Sequence, residues 1–215
     1  MGTRRGRIFA TVRTRFQGWN RHLGHFGSLY SNGRSEEIIT KTISTYNIPR
    51  DELVLMTKCR FGTSRKDEPQ MSMYAATINN RQMVNRVGLS CKHIFDAVQA
   101  SMKRLGTYID VLQIQRMDPD VPHNEIMKAL NDVVEQGWVL CLGASSMPIW
   151  ELQMLQNVAE THGWHKFISM RNYYNLLYRE EEMEMIPFCR VTDVGCMPVC
   201  FRYPSVFIIL VISTF

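Results

Sequence analysis

"DVLQIQRMD", residues 110–118, is the stretch on which the fold turns. Asp110 to Ile114 reads as a buried strand that ends on a polar side chain, Gln115, with Arg116 and Asp118 directly behind it. Strand ends are where α/β folds keep their chemistry, because the loops there vary without disturbing the sheet. The flanks extend the pattern. "SCKHIFDAVQASMKRLG" reads as a helix that starts after Ser90, buries Ile94, Phe95, Val98, Met102 and Leu105, and stops at Gly106. "NEIMKALNDVVEQG" carries Ile126, Met127, Leu130, Val133 and Val134 on one face, and Gly137 supplies its stop.

The alternation continues in both directions. Upstream, "SEEIITKTISTYN" predicts a helix capped by Ser35 with two acids in its first turn, and "ELVLMTKC" a strand ending in Lys58. Downstream, "WVLCLGASS" is a strand ending in small residues. "PIWELQMLQNVAETHG" is a helix opened by Pro148 and closed by Gly163, and "KFISMRNYYN" is a strand running into an aromatic loop. "REEEMEMIPFC" reads as one helix with its acids on the exposed face and first turn, and "VGCMPV" as the start of another strand. The predicted strands are 53–58, 109–115, 139–144 and 167–172, all parallel. Apolar strands that alternate with helices make a parallel sheet covered by those helices. No G-x-G-x-x-G follows any of them, so a Rossmann fingerprint is absent. Even strand spacing, broken only by a long polar loop at 59–89, suits a (β/α) barrel better than an open sheet. A full barrel takes ~250 residues, and this chain has room for about six strand–helix units.

Composition narrows the function classes. The 215 residues, 45% of them apolar, suffice for one sizeable core or two small ones. The net charge of +5 is a terminal feature. Residues 1–35 hold seven arginines and no acid, which leaves 18 of the 25 basic residues against all 20 acids, a balance of −2. A nucleic-acid binder would carry its charge on the folded body, so that class is excluded. The six cysteines form no CxxC, and read as reduced thiols, some of them core residues, with no metal site or disulfide framework. His93, His123, His162 and His165 sit on helices or their ends without a motif and read as solvated or cap-adjacent. "VFIILVISTF" at 206–215 is too short to span a bilayer. The expected location is cytoplasmic, with a mitochondrial presequence as the alternative on account of the Arg-rich, acid-free N-terminus.

"YSNGRSEEII", "LVLMTKC", "SMKRLGTYIDVLQIQR", "ALNDVVEQGWVLCLGASSM" and "FISMRNYYNLLYREEE" follow one another over residues 28–190. In that order and spacing they resemble the aldo-keto reductase family, specifically its fungal aryl-alcohol-dehydrogenase-like branch. The resemblance implies a (β/α)8 TIM barrel, here incomplete, with the first and eighth strands missing or replaced. Residues 1–24 are then a basic, disordered extension outside the family pattern, 25–200 a partial barrel domain, and 201–215 an apolar tail. It implies NADP(H) as cofactor, a small carbonyl or alcohol as substrate, and hydride transfer from the nicotinamide to the carbonyl carbon. A tyrosine donates the proton, a lysine lowers that tyrosine's pKa, an aspartate partners the lysine, and a histidine orients the carbonyl. A phenol of pKa ~10 is a poor acid–base near neutrality unless a cation favours its phenolate.

Carried over residue by residue, Tyr30 falls on the tyrosine and Lys58 on the lysine. His25 stands at the aspartate position, and Gln115 where the strand-end histidine is expected. An amide donates a hydrogen bond but cannot become a cation. Ser145 and Ser146 match the pair that hydrogen-bonds the nicotinamide carboxamide, and Arg171 replaces the usual glutamine. "GCMPVCFRYPS" keeps only Gly195 and Pro198 of the seventh-strand frame, and no segment resembles the one that holds the adenosine 2′-phosphate. Two readings stand side by side. One is an NADP-dependent oxidoreductase weakened at its tetrad. The other is a non-catalytic, truncated or mis-spliced family member that binds no cofactor.

Overall fold

The computed structural model describes residues 33–63, 83 and 85–199, with the backbone of 22–24. His25 and Tyr30, most of the polar loop, and the tail at 201–215 lie outside the described residues. In chain order the elements are β1 (His22–Gly24), α1 (Arg34–Thr45), β2 (Val54–Cys59), α2 (Cys91–Leu105), β3 (Ile109–Gln115) and α3 (His123–Glu135). Then come β4 (Val139–Ser145), α4 (Ile149–His162), β5 (Phe167–Arg171), α5 (Met185–Val191) and β6 (Gly195–Cys196). Strands β2 to β5 fall within one residue of their expected bounds. All neighbouring strands are parallel, and their order in the sheet is the order in the chain. A doubly wound sheet reverses at a switch point, whereas this one winds in a single direction, as a (β/α) barrel does. No helix among the described residues is long and apolar enough to cross a membrane.

Local chemistry sets the element ends. Ser90 Oγ accepts from the His93 N–H at 3.3 Å and opens α2. Gly106 and Gly163 close α2 and α4 in the left-handed conformation that favours glycine. Helix α1 corrects the sequence reading. Its cap is Gly33, at φ 81°, and Ser35 lies inside the first turn. Glu36 decides this. Its buried carboxylate pairs with Arg104 Nε of α2, and the Arg104 side chain covers Gly33 so closely that a Cβ there would stand 2.8 Å from Nε. The acid run is also not one helix. It divides into a 3-10 turn at Glu180–Glu182 and the short α5. Nothing in the sequence marks β1, since three residues are too few to show a period.

The main core lies between sheet and helices. Leu55, Leu112, Ile114 and Leu142 of the strands pack with Ile94, Val98, Ile126, Leu130, Leu152 and Leu155 of the helices. Each such buried side chain is worth about 1.5–3 kcal/mol of transfer free energy. Phe95 and Met102, expected in that core, pack against it half-buried. The other face of the sheet carries a smaller cluster of Val54, Met56, Val111 and Cys141. There, register partners form rows across the strands. Met56, Val111 and Cys141 make the first. Lys58, Gln113, Gly143, Ser169 and Gly195 make the second. Gln115, Ser145 and Arg171 make the third, at the C-terminal rim. The rows turn from apolar to polar towards the rim.

Two expected outcomes follow from this packing. A Cβ at Gly143 would stand 2.7 Å from Ser169 Oγ and 3.0 Å from Gln113 Cγ. Gly143→Ala is expected to cost about 1–3 kcal/mol in urea unfolding, because those neighbours are buried and cannot withdraw freely. The second concerns His93, which is buried at 4% exposure and not solvated as its sequence context suggests. Burial, opposed by Asp96, the Asn85 backbone and Asp118, pulls its imidazole down to about 4. The unfolded chain therefore binds a proton between about pH 6.5 and 4 that the folded chain refuses. The stability is whole above pH 6.5 and is lost as pH falls towards 4, by up to about 3 kcal/mol. Unfolding free energies measured across that range should fall more for the native chain than for His93→Gln; equal slopes would refute the assignment.

Candidate active site

Four consecutive strands deliver polar side chains to one rim. β2 brings Lys58, β3 brings Gln115, β4 brings Ser145 and then Ser146, and β5 brings Arg171. Lys58 starts one row lower and reaches up, placing Nζ 3.5 Å from Ser145 Oγ. Ser145 Oγ lies 3.3 Å from Ser146 Oγ. Ser145 is buried, Lys58, Gln115 and Arg171 are half-buried, and Ser146 is exposed. Burial first, and the Arg171 guanidinium second, pull the Lys58 ammonium down to about 8. It stays mostly charged at neutral pH, yet within reach of deprotonation. Of the seven sequence-predicted site residues, Lys58, Gln115, Ser145, Ser146 and Arg171 meet here. Tyr30 and His25 lie outside the described residues.

The backbone leaves this rim under constraint. Arg60, Arg116 and Ser146, each the first residue past its strand, have φ of 145°, 66° and 55°. Non-glycine residues at positive φ are uncommon, and they cluster where function over-determines the backbone. Two hydrogen bonds hold the exits in place: Arg116 N–H donates to Ser145 O at 2.8 Å, and Ser146 N–H to Arg171 O at 3.0 Å.

Two groups below and beside the rim escaped sequence reading. Gln113, fully buried, gives its Nε2 to Met197 Sδ at 3.7 Å, and its Oε1 has no hydrogen-bond partner among the described residues. Ser169 Oγ, in the same row, is likewise buried without one. Buried polar atoms are usually hydrogen-bonded, so these two are exceptions within the strands. The available signal was a polar residue inside an otherwise apolar strand. The acids of the 180s, read as a solvated helix face, tie down the aromatic loop after β5. Glu181 accepts from Asn172, Glu182 accepts from the Tyr174 hydroxyl, and Arg179 grips Glu182 through Nε and Nη2.

Parallel strands wound in chain order, with their polar side chains gathered at the C-terminal rim, define a chain of the (β/α)-barrel class. It belongs to the aldo/keto reductase family, whose model matches residues 25–201. It is similar to the versiconal hemiacetal acetate reductase of Aspergillus parasiticus, 54% identical over 79% of this chain and 50% of that one. A Schizosaccharomyces pombe protein named provisionally as an aryl-alcohol dehydrogenase is 56% identical over 80% of this chain and 54% of its own. An aldo-keto reductase of Fusarium vanettenii is 49% identical over 80% and 48%. The chain thus spans about half the length of the curated relatives it matches.

The electrostatics of Lys58 are directly measurable. Carbon-13 NMR of reductively methylated lysines should show one resonance titrating near 8, apart from the ordinary lysines. In Arg171→Gln that resonance should titrate higher, while staying below the usual lysine range because burial persists. An unshifted resonance in the variant would mean that Arg171 does not act on Lys58.

Proposed function

We propose that this chain is an NADP-dependent oxidoreductase that reduces an aldehyde or ketone of the aryl-alcohol-dehydrogenase type. The observation that carries the reading is the half-buried Lys58 ammonium, at the C-terminal rim and 3.5 Å from Ser145 Oγ. The residues fit the cofactor's carboxamide. The hydroxyls of Ser145 and Ser146 both donate and accept, and their 3.5 and 3.3 Å contacts are long for hydroxyl bonds, which leaves capacity for a ligand. In this reading Ser145, Ser146 and Arg171 hold the nicotinamide end. NADPH would supply the hydride. Tyr30 gives its phenolic proton to the carbonyl oxygen, and Lys58 as a nearby cation favours the phenolate left behind. Gln115 donates an amide N–H to the same oxygen. His25 brings no negative charge to partner Lys58. Turnover is therefore expected to be low for the family. We place the chain in the cytoplasm, with the mitochondrion as the alternative raised by the arginines near its start.

A second reading, a non-catalytic chain that binds no cofactor, is favoured by one feature: Arg171 adds a second cation beside Lys58. NADPH fluorescence separates the two. Quenching on titration, followed by slow NADPH consumption with an aryl aldehyde, supports the enzyme. No fluorescence change in the native chain would overturn it. If the enzyme reading holds, Lys58→Met should lower kcat by about 10²-fold or more, and Gln115→His should raise it by about tenfold.

A further inference from the structure

The chain folds back on itself where α5 meets β6. Cys189 lies in the last turn of α5. Asp193, at φ 56°, turns the backbone so that the Val194 N–H donates to Cys189 O at 2.9 Å. β6 begins at the next residue, and its Cys196 comes to lie against Cys189. The two side chains hydrogen-bond each other. Cys189 is fully buried in the main core, and Cys196 packs against that core half-buried. The bond is not symmetric. The role of donor, and burial after it, push the Cys189 thiol up, so it keeps its proton. Accepting that bond holds the Cys196 thiol down, with help from the Arg190 guanidinium and against burial and the Glu181 carboxylate. The thiolate is the reactive form of cysteine, so the half-exposed sulfur is the nucleophile and the buried one stands behind it. Cys59 shows the contrast: it is buried, pushed up to about 12 by that burial, and inert. Two contacts link the pair to the rim. Glu181, whose charge acts on both thiols, accepts from Asn172, the residue after Arg171. Met197, next to Cys196, accepts from Gln113 and donates its N–H to Met170 O at 2.8 Å.

We propose that Cys189 and Cys196 form a redox pair that a hydroperoxide converts to a disulfide. The Cys196 thiolate attacks one oxygen of hydrogen peroxide. The O–O bond breaks, hydroxide leaves, and Cys196 becomes a sulfenic acid. Cys189 gives its proton to that hydroxide and attacks the Cys196 sulfur. The S–O bond breaks, and the second hydroxide takes up the proton that Cys196 first released. The two sulfurs lose two electrons, the peroxide gains them, and two waters form. Because the thiols are already in contact, joining them takes side-chain rotation and no movement of distant chain. Oxidation pins β6 to α5, and a dithiol reverses it by exchange. In a reducing compartment the pair rests as two thiols.

The test is peptide mapping of the full chain after an excess of hydrogen peroxide, with the remaining thiols blocked by iodoacetamide under denaturing conditions. Trypsin cuts after Arg190, so the two cysteines fall in separate peptides. Cys200 shares the second peptide, so Cys200→Ser is run beside the native chain. The expected product is the Cys189 peptide joined to the Cys196 peptide, two hydrogens lighter than their sum. It should form in both chains and vanish with dithiothreitol. In Cys189→Ser, dimedone should label Cys196 severalfold more strongly than in the native chain, because nothing resolves its sulfenic acid. Should that variant not fold, the map of the native chain and Cys200→Ser decides alone. Both thiols still open to iodoacetamide, Cys196 recovered as a sulfinic acid in the native chain, or either sulfur joined to a different cysteine overturns the proposal.

Discussion

Gly143 has no side chain, and the polar rows close around that gap. Ser169 Oγ, Gln113 Cγ and Val111 Cγ1 would lie 2.7, 3.0 and 3.3 Å from a Cβ placed there. Three neighbouring strands can therefore meet only if the middle one contributes nothing at this height. Parallel register does the rest. Once Gln113, Gly143 and Ser169 are level, Gln115, Ser145 and Arg171 must be level two residues on. Lys58 meets Ser145 because its long side chain spans the step between those rows.

Charge is arranged differently at the two ends of the strands. Near the N-terminal ends, Asp110 Oδ2 accepts from Arg50 Nη2 at 2.6 Å and from the Leu55 N–H at 2.7 Å. Arg50 also lies 4.0 Å over the Tyr108 ring. Burial still raises the Asp110 pKa despite these partners, so removing Arg50 would leave a carboxylate that the interior does not tolerate. Opposite charges joined in this way resist change and serve the fold. At the C-terminal rim the nearest charge acting on the half-buried Lys58 ammonium is of its own sign, the Arg171 guanidinium, which adds to burial in lowering its pKa.

The strands were legible because their apolar runs are bounded by glycine and strong helix periods. α2 and α4 end at the glycines that the sequence marks. Long-range partners were not legible. Ser35 is an ordinary cap by type, and only the distant Arg104, packed over Gly33, shows why the helix begins earlier. Glu181 and Glu182 look solvated until the loop after β5 folds back over them. Lys58, Gln115, Ser145, Ser146 and Arg171 were legible by resemblance, since strand-end motifs keep their spacing. Gln113 and Ser169 were not, because their meaning depends on which neighbours share their row.

The three strand exits at Arg60, Arg116 and Ser146 also bear on how this chain would change under selection. Each holds a side-chain-bearing residue where glycine would sit more comfortably. A population screened for heat resistance alone would accumulate glycine at these positions. Each replacement would free backbone beside the rim, so robustness would grow while the placement of the rim side chains became looser. Screening for ligand capture would run the other way and keep the strained residues. The rim is therefore the region where selection for durability and selection for work pull the same positions apart.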